Sequence, residues 1–215
     1  MKNYLNFAAM DISLIFGFIT ASFLLALMPG PDNIFVLTES LSRGFKTGIT
    51  ITIGLVSGVL VHTIAAATGL SLLIISSPTT FTIIKYLGAL YLLLLAYQAY
   101  FEKPISVKAG FAKKDTYNFG KLWRKGFLMN VLNPKVTLFF MAFLPQFITP
   151  EGFSVFNQFI ILGLLFILVS FTVFGSIAYL AGRLTHLLNS DSFWKYTKII
   201  KIAALCILAM FLAVS

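Results

Sequence analysis

The chain has 215 residues, of which 59% are hydrophobic and 11% charged, where an ordinary soluble domain carries about 25% charge. That is too little charge to cover a water-facing surface, and too much apolar side chain for a disordered chain. The net charge of +9 comes from 16 Lys+Arg against 7 Asp+Glu. On a soluble protein this would suggest nucleic acid, but no nucleic-acid-binding module accompanies it.

Long uncharged stretches divide the chain into six predicted spans, at about 10–28, 47–71, 81–101, 126–149, 155–181 and 197–214. Each approaches the roughly 20 apolar residues a helix needs to cross the hydrocarbon core. Apolar runs without period-2 alternation predict helices rather than barrel strands. The first span is expected to be a retained helix and not a signal peptide. Lys2 makes a thin basic flank, and no small-residue cleavage site precedes a soluble domain.

Pro29-Gly30-Pro31 ends that first span. Each proline lacks a backbone donor and clashes with the preceding turn, so the helix must break. The apolar run Ile34–Leu37 lets a second half-helix resume. Asp32 then stands at or near its N-terminus, either as a cap or as a carboxylate facing a ligand. Glu39 falls near the cytoplasmic end of this broken helix, where it is a candidate gate residue. In the second span, His62 follows Ser57-Gly58. It is either a proton carrier or a neutral hydrogen-bonding group between helices. Gly54, Ser57 and Gly58 are small enough for close helix contact.

The linker at 102–125 holds seven Lys/Arg. The fourth span contains Asn133-Pro134-Lys135, about 12 Å from its start at 1.5 Å per residue. A lysine at such depth costs roughly 2.5–3.5 kcal/mol on insertion scales. It must snorkel, pair with Asp32 or Glu39, or serve a function. Gln146 lies towards the outer end of this span. Cys206, the single cysteine, sits in the last span and implies no disulfide, and no metal or cofactor motif is present.

Thirteen of the sixteen bases fall in the loops after spans one, three and five, or at their edges. The positive-inside rule therefore places those loops in the cytoplasm and both termini outside. Three short likenesses recur in the same order. Gly30-Pro31-Asp32 resembles Asn133-Pro134-Lys135, Gly54-Leu55 matches Gly163-Leu164, and Ile83-Ile84-Lys85 matches Ile199-Ile200-Lys201, at offsets of 103, 109 and 116. The expected architecture is an all-α membrane protein in one domain. A first repeat of three helices (about 10–101) and a second (about 126–214) form an inverted 3+3 pair, with helices 1 and 4 broken at PGP and NPK.

In such a pair the two breaks face each other at mid-membrane, where transporters hold their solutes. The candidate substrate-binding set is Pro29, Gly30, Pro31, Asp32, Asn133, Pro134 and Lys135. His62, Glu39 and Gln146 are candidates for proton coupling or gating. A zwitterionic amino acid fits this polarity, with its ammonium towards Asp32 and its carboxylate towards Lys135 or free N–H groups.

The segments MPGPDN (28–33), SRGFKTGI (42–49), SGVLVHTIAAATGLSLL (57–73), KYLGALYLLLLAYQ (85–98) and KGFLMNVLNPKVTLFFMAFLPQFITP (125–150) together resemble the bacterial LysE/RhtB family of amino-acid exporters. The resemblance covers nearly the whole chain. It implies six transmembrane helices in the bacterial inner membrane and proton-motive-force-driven efflux of amino acids. It carries the family motif onto Pro29, Gly30, Pro31, Asn133, Pro134 and Lys135, and places His62 where many members have a histidine. The absence of a second deep carboxylate favours neutral substrates of the homoserine, threonine or leucine class. Expected partners are the amino acid, protons and the lipid bilayer, with no nucleic acid; a homo-oligomer is compatible with the sequence. The alternatives are a channel or scaffold subunit and an intramembrane enzyme. The enzyme lacks its usual acidic pairs or HExxH, and the absence of a Walker A motif excludes ATP hydrolysis by the chain itself.

Overall fold

The computed structural model describes residues 12–70, 78–102, 117–149, 152–188 and 191–214, and among these every regular element is helical. In chain order these are α1 (Ile12–Leu27), α2 (Pro31–Arg43), α3 (Phe45–Ala65), α4 (Pro78–Phe101), α5 (Phe119–Val131), α6 (Pro134–Leu138), α7 (Val155–Leu188) and α8 (Asp191–Val214). A π-helical turn, Ala66–Leu70, continues α3. A second one, Phe139–Phe143, and a 3-10 turn, Leu144–Phe147, continue α6.

Four helices are long and apolar enough to cross a membrane alone, and the count rises to six when each bent pair is one span. The bent pairs are α1 with α2, at 59°, and α5 with the helix from Pro134 to Phe147, at 49°. Both bends fall where proline removes a donor, at Pro29-Gly30-Pro31 and at Asn133-Pro134. Helices 1 and 4 are thus broken at the two motifs. The fourth span starts earlier than its hydropathy suggests. Its first half opens at Phe119, capped by Asn118 Oδ1 accepting from the Lys121 N–H at 2.9 Å. The basic residues Lys121, Arg124 and Lys125 therefore stand on a helix rather than in a linker. Their charges lower the local hydropathy and conceal that first turn.

Small residues set the closest helix approaches. A Cβ at Gly54 of α3 would run into the Trp123 carbonyl of α5, and one at Gly126 of α5 into the Ile51 carbonyl of α3. Mutual glycine contacts of this kind let two backbones touch where lipid supplies no hydrophobic drive. Trp123 Nε1 also donates to Ser57 Oγ at 3.2 Å across the same seam. In the same way, Gly88 lets α4 close onto Ala142 of the π-helical turn.

The core is aromatic. Phe18 of α1 meets Phe139 and Phe147 at centroid distances of 5.8 and 5.3 Å, and Phe139 and Phe140 meet Phe166 of α7 at 5.1 and 5.3 Å. These edge-on and tilted contacts are favourable geometries for aromatic quadrupoles. They fix α1 and α7 against the second half of the fourth span. The outward faces carry large exposed apolar residues such as Leu90, Leu168 and Met210. That is the reverse of a water-soluble surface.

Candidate functional site

α1 ends at Leu27 and leaves its last carbonyls without intrahelical partners, as any helix end does. The chain supplies three of them from different sources. The Leu24 carbonyl accepts from the Met28 N–H at 3.0 Å. The Leu25 carbonyl accepts from Lys135 Nζ at 3.0 Å. The Ala26 carbonyl accepts from Asn33 Nδ2 at 2.8 Å. A cation at a helix C-terminus also meets the negative end of the helix dipole. Lys135 therefore turns inward across the fold. Its hydrogen bond goes neither to Asp32 nor to Glu39, the two partners its sequence position suggested.

Gly30 caps α2 in extended geometry, at φ −159° and ψ 179°, a conformation open to any residue. Its lack of a side chain matters for space instead. A Cβ there would lie 3.7 Å from Lys135 Nζ and 3.9 Å from Asn33 Oδ1. Pro31 occupies the first helical position of α2, where its missing donor costs nothing. Asp32 follows in the first turn of α2. Its carboxylate is committed elsewhere.

The second break is built around Asn133. Its Oδ1 accepts from the Lys135 N–H at 3.0 Å, capping α6, and Pro134 again takes the first helical position. Its Nδ2 donates to Asp32 Oδ2 at 2.6 Å. One asparagine thus caps its own half-helix and grips the carboxylate of the other break. Asp32 is only 3% exposed. A buried carboxylate requires such a donor and a nearby cation. Lys135 is close enough to supply the charge, although its ammonium bonds to Leu25.

Asp32, Lys135, Asn130 and Ser170 share the wall of a small cavity between the breaks and α7, of about 10 Å³. That is room for roughly one water molecule. Asn130 Oδ1 is buried there and has no hydrogen-bond partner.

His62 joins this cluster through the backbone. Its Nε2, protonated in the donor tautomer, donates to the Asn130 carbonyl at 3.1 Å, and its ring lies 5.9 Å from that of Phe140. Glu39 and Gln146 stand apart from it. Glu39 forms a local ion pair with Arg43 one turn on, at 3.2 Å. Gln146 Nε2 donates to the Ala142 carbonyl at 3.4 Å. Pro29 faces away from the small cavity and lines a larger groove beside α8.

Asn33, Asn130 and Ser170 were not singled out from the sequence. The available signal was an amide or hydroxyl inside an apolar span, which is hard to separate from ordinary helix packing. No group of three or more His, Cys, Asp or Glu able to hold a metal occurs among the described residues.

The LysE type translocator family matches residues 23–215. The leucine efflux protein of Salmonella typhimurium is 29% identical over 173 residues, covering 80% of this chain and 81% of its own. The leucine efflux protein of Salmonella paratyphi A matches to the same extent. The uncharacterized membrane protein YrhP of Bacillus subtilis is 30% identical over 186 residues, covering 83% of this chain and 88% of its own. No solved structure matches the chain.

Proposed function

The chain belongs to the LysE type translocator family, and from that premise we propose that it is a secondary transporter exporting neutral amino acids of the leucine class from the bacterial cytoplasm. The observation that carries this reading is the pair of helix breaks joined by Asn133 and Asp32, with Lys135 beside them. Interrupted helices at mid-membrane expose backbone groups and half-helix ends, which suit a zwitterion. The related leucine efflux proteins support an aliphatic side chain on the substrate.

Transport proceeds by alternating access. The two halves act as an inverted 3+3 repeat, with both termini outside and the basic loops in the cytoplasm of a bacterial inner membrane. The small cavity beside Asp32 and Lys135 then lies on the substrate path between the two halves. Proton movement drives export, with His62 as the coupling residue through its bond to the Asn130 carbonyl.

The test is efflux from cells loaded with leucine-containing dipeptides. Overproduction of the chain should raise leucine outside the cells, and an uncoupler should suppress the rise. Leucine release equal to that of cells without the protein would overturn the reading. In proteoliposomes, His62→Gln should retain leucine counterflow and lose acceleration by a pH gradient. A variant with both intact would remove His62 from the coupling.

A further inference from the structure

A groove of about 320 Å³ lies beside the first break, between α1, α2 and α8, and is separate from the small cavity. Its volume falls within the roughly 300–1,000 Å³ of small-molecule sites. Most of its wall is aliphatic, including Leu24, Leu27, Leu37 and Ile200. Besides Thr197 and Trp194, two polar residues interrupt that wall.

The first is Asn33. This residue is 7% exposed, its Nδ2 is used on Ala26, and its Oδ1 is buried with no hydrogen-bond partner. A buried acceptor without a donor costs about 1–3 kcal/mol. The amide nitrogen has a local task, capping the Ala26 carbonyl, but the protein supplies no donor to the oxygen. The second is Lys201 of α8, whose side chain is 11% exposed. Its Nζ donates to both carboxylate oxygens of Glu102, at 2.6 and 2.7 Å. An ammonium has three donors, so one is left.

Gly30 lies near both a residue of the groove wall, Asn33, and one of the small cavity's wall, Lys135. The space its missing side chain leaves touches Asn33 Oδ1 on one side and Lys135 Nζ on the other. The groove wall at Asn33 and the Asp32–Lys135 cluster thus approach each other at Gly30.

We propose that this groove is the loading site for an amino acid with an aliphatic side chain, whose ammonium is received by Asn33 Oδ1 and whose carboxylate is received by Lys201. The side chain lies along the leucines of α1 and α2 and Ile200 of α8. The groove is the cytoplasmic antechamber, and passage beside Gly30 delivers the substrate to the Asp32–Lys135 cluster. This assignment rests on the export function proposed above and adds a second, earlier site to it.

The test is equilibrium binding of radiolabelled L-leucine to the full chain in phospholipid nanodiscs. The competitors are glycine, which lacks the side chain, leucinol, which lacks the carboxylate, and 4-methylpentanoate, which lacks the ammonium. Each should compete at least about tenfold more weakly than leucine, as expected for loss of buried apolar area or of a charge-assisted hydrogen bond. Lys201→Gln should weaken leucine about tenfold and leave leucinol unchanged, and Lys201→Arg should restore leucine binding. Equal weakening of leucine and leucinol by Lys201→Gln would mean a general structural effect and overturn the assignment. So would glycine competing as well as leucine, or leucine affinity indifferent to Lys201, as expected if the groove holds a lipid chain. Leucine efflux from cells separates the two levels. Persistent efflux with Lys201-independent binding removes the groove alone, whereas absent efflux removes the export function itself.

Discussion

Asn133 Nδ2 donates to Asp32 Oδ2 at 2.6 Å, joining two helix breaks that lie 101 residues apart. The bond puts a carboxylate from one half of the chain under the control of an amide from the other. It also gives the two halves a point where a change at one break is felt at the other.

Asp32→Asn keeps the size of the side chain and removes its charge. Leucine efflux should fall at least about tenfold, because a hydrogen bond to a charged group contributes roughly 1.5–3 kcal/mol. The exchange variant Asp32→Asn with Asn133→Asp restores a carboxylate–amide pair, and aspartate also caps helices well. It should recover thermal stability in detergent relative to Asp32→Asn alone. An exchange variant less stable than either single change would argue against the pairing.

Lys135→Met removes the donor to the Leu25 carbonyl and the cation near Asp32. A buried carbonyl left unpaired costs about 1–3 kcal/mol. A lower unfolding temperature is expected, together with loss of efflux at unchanged membrane abundance. Full efflux in this variant would remove Lys135 from the binding site.

Gly30→Ala should fold normally. The backbone is extended there, and the new methyl would meet its neighbours at 3.7 and 3.9 Å, ordinary contact distances. Gly30→Leu would fill the space between Lys135 and Asn33. The expected series is near-native efflux for alanine and abolished efflux for leucine, with both proteins monodisperse on size exclusion. Equal efflux from the two variants would show that substrate does not pass beside Gly30.

Gly54→Ala tests the seam between α3 and α5. Its Cβ would run into the Trp123 backbone carbonyl, which cannot rotate away. Overpacking of this kind costs about 1–3 kcal/mol. Gly182→Ala on α7 meets nothing within 4 Å and should be neutral or slightly stabilising. Thermal unfolding in detergent should separate the two variants clearly.

Much of the fold is legible in the sequence because its causes are local. Burial in lipid depends on the summed apolarity of about 20 consecutive residues. A proline breaks its own helix whatever packs around it. The PGP and NPK breaks needed no tertiary information for this reason. The start of the fourth span was less legible, because Lys121, Arg124 and Lys125 lower the hydropathy of a helix that begins at Phe119. The candidate site was legible in its residue types but not in its bonds. Lys135 was expected to snorkel, to pair with a carboxylate or to serve a function; it caps α1 at Leu25, 110 residues away. Glu39 and Gln146 carry suitable chemistry, yet their own helical turns engage them.

Composition and proline placement are enough to put this chain in a bilayer, to break its helices at two points and to set which polar residues lie there. Composition and proline act through the chain's immediate neighbourhood, so no partner element is needed to fix them. Helix packing is what brings Asn133 to Asp32 and Lys135 to the end of α1, and what leaves an apolar groove with Asn33 and Lys201 on its wall near Gly30. Those relationships depend on hydrogen bonds and gaps between distant segments. They are settled by how the helices pack, which hydropathy does not encode.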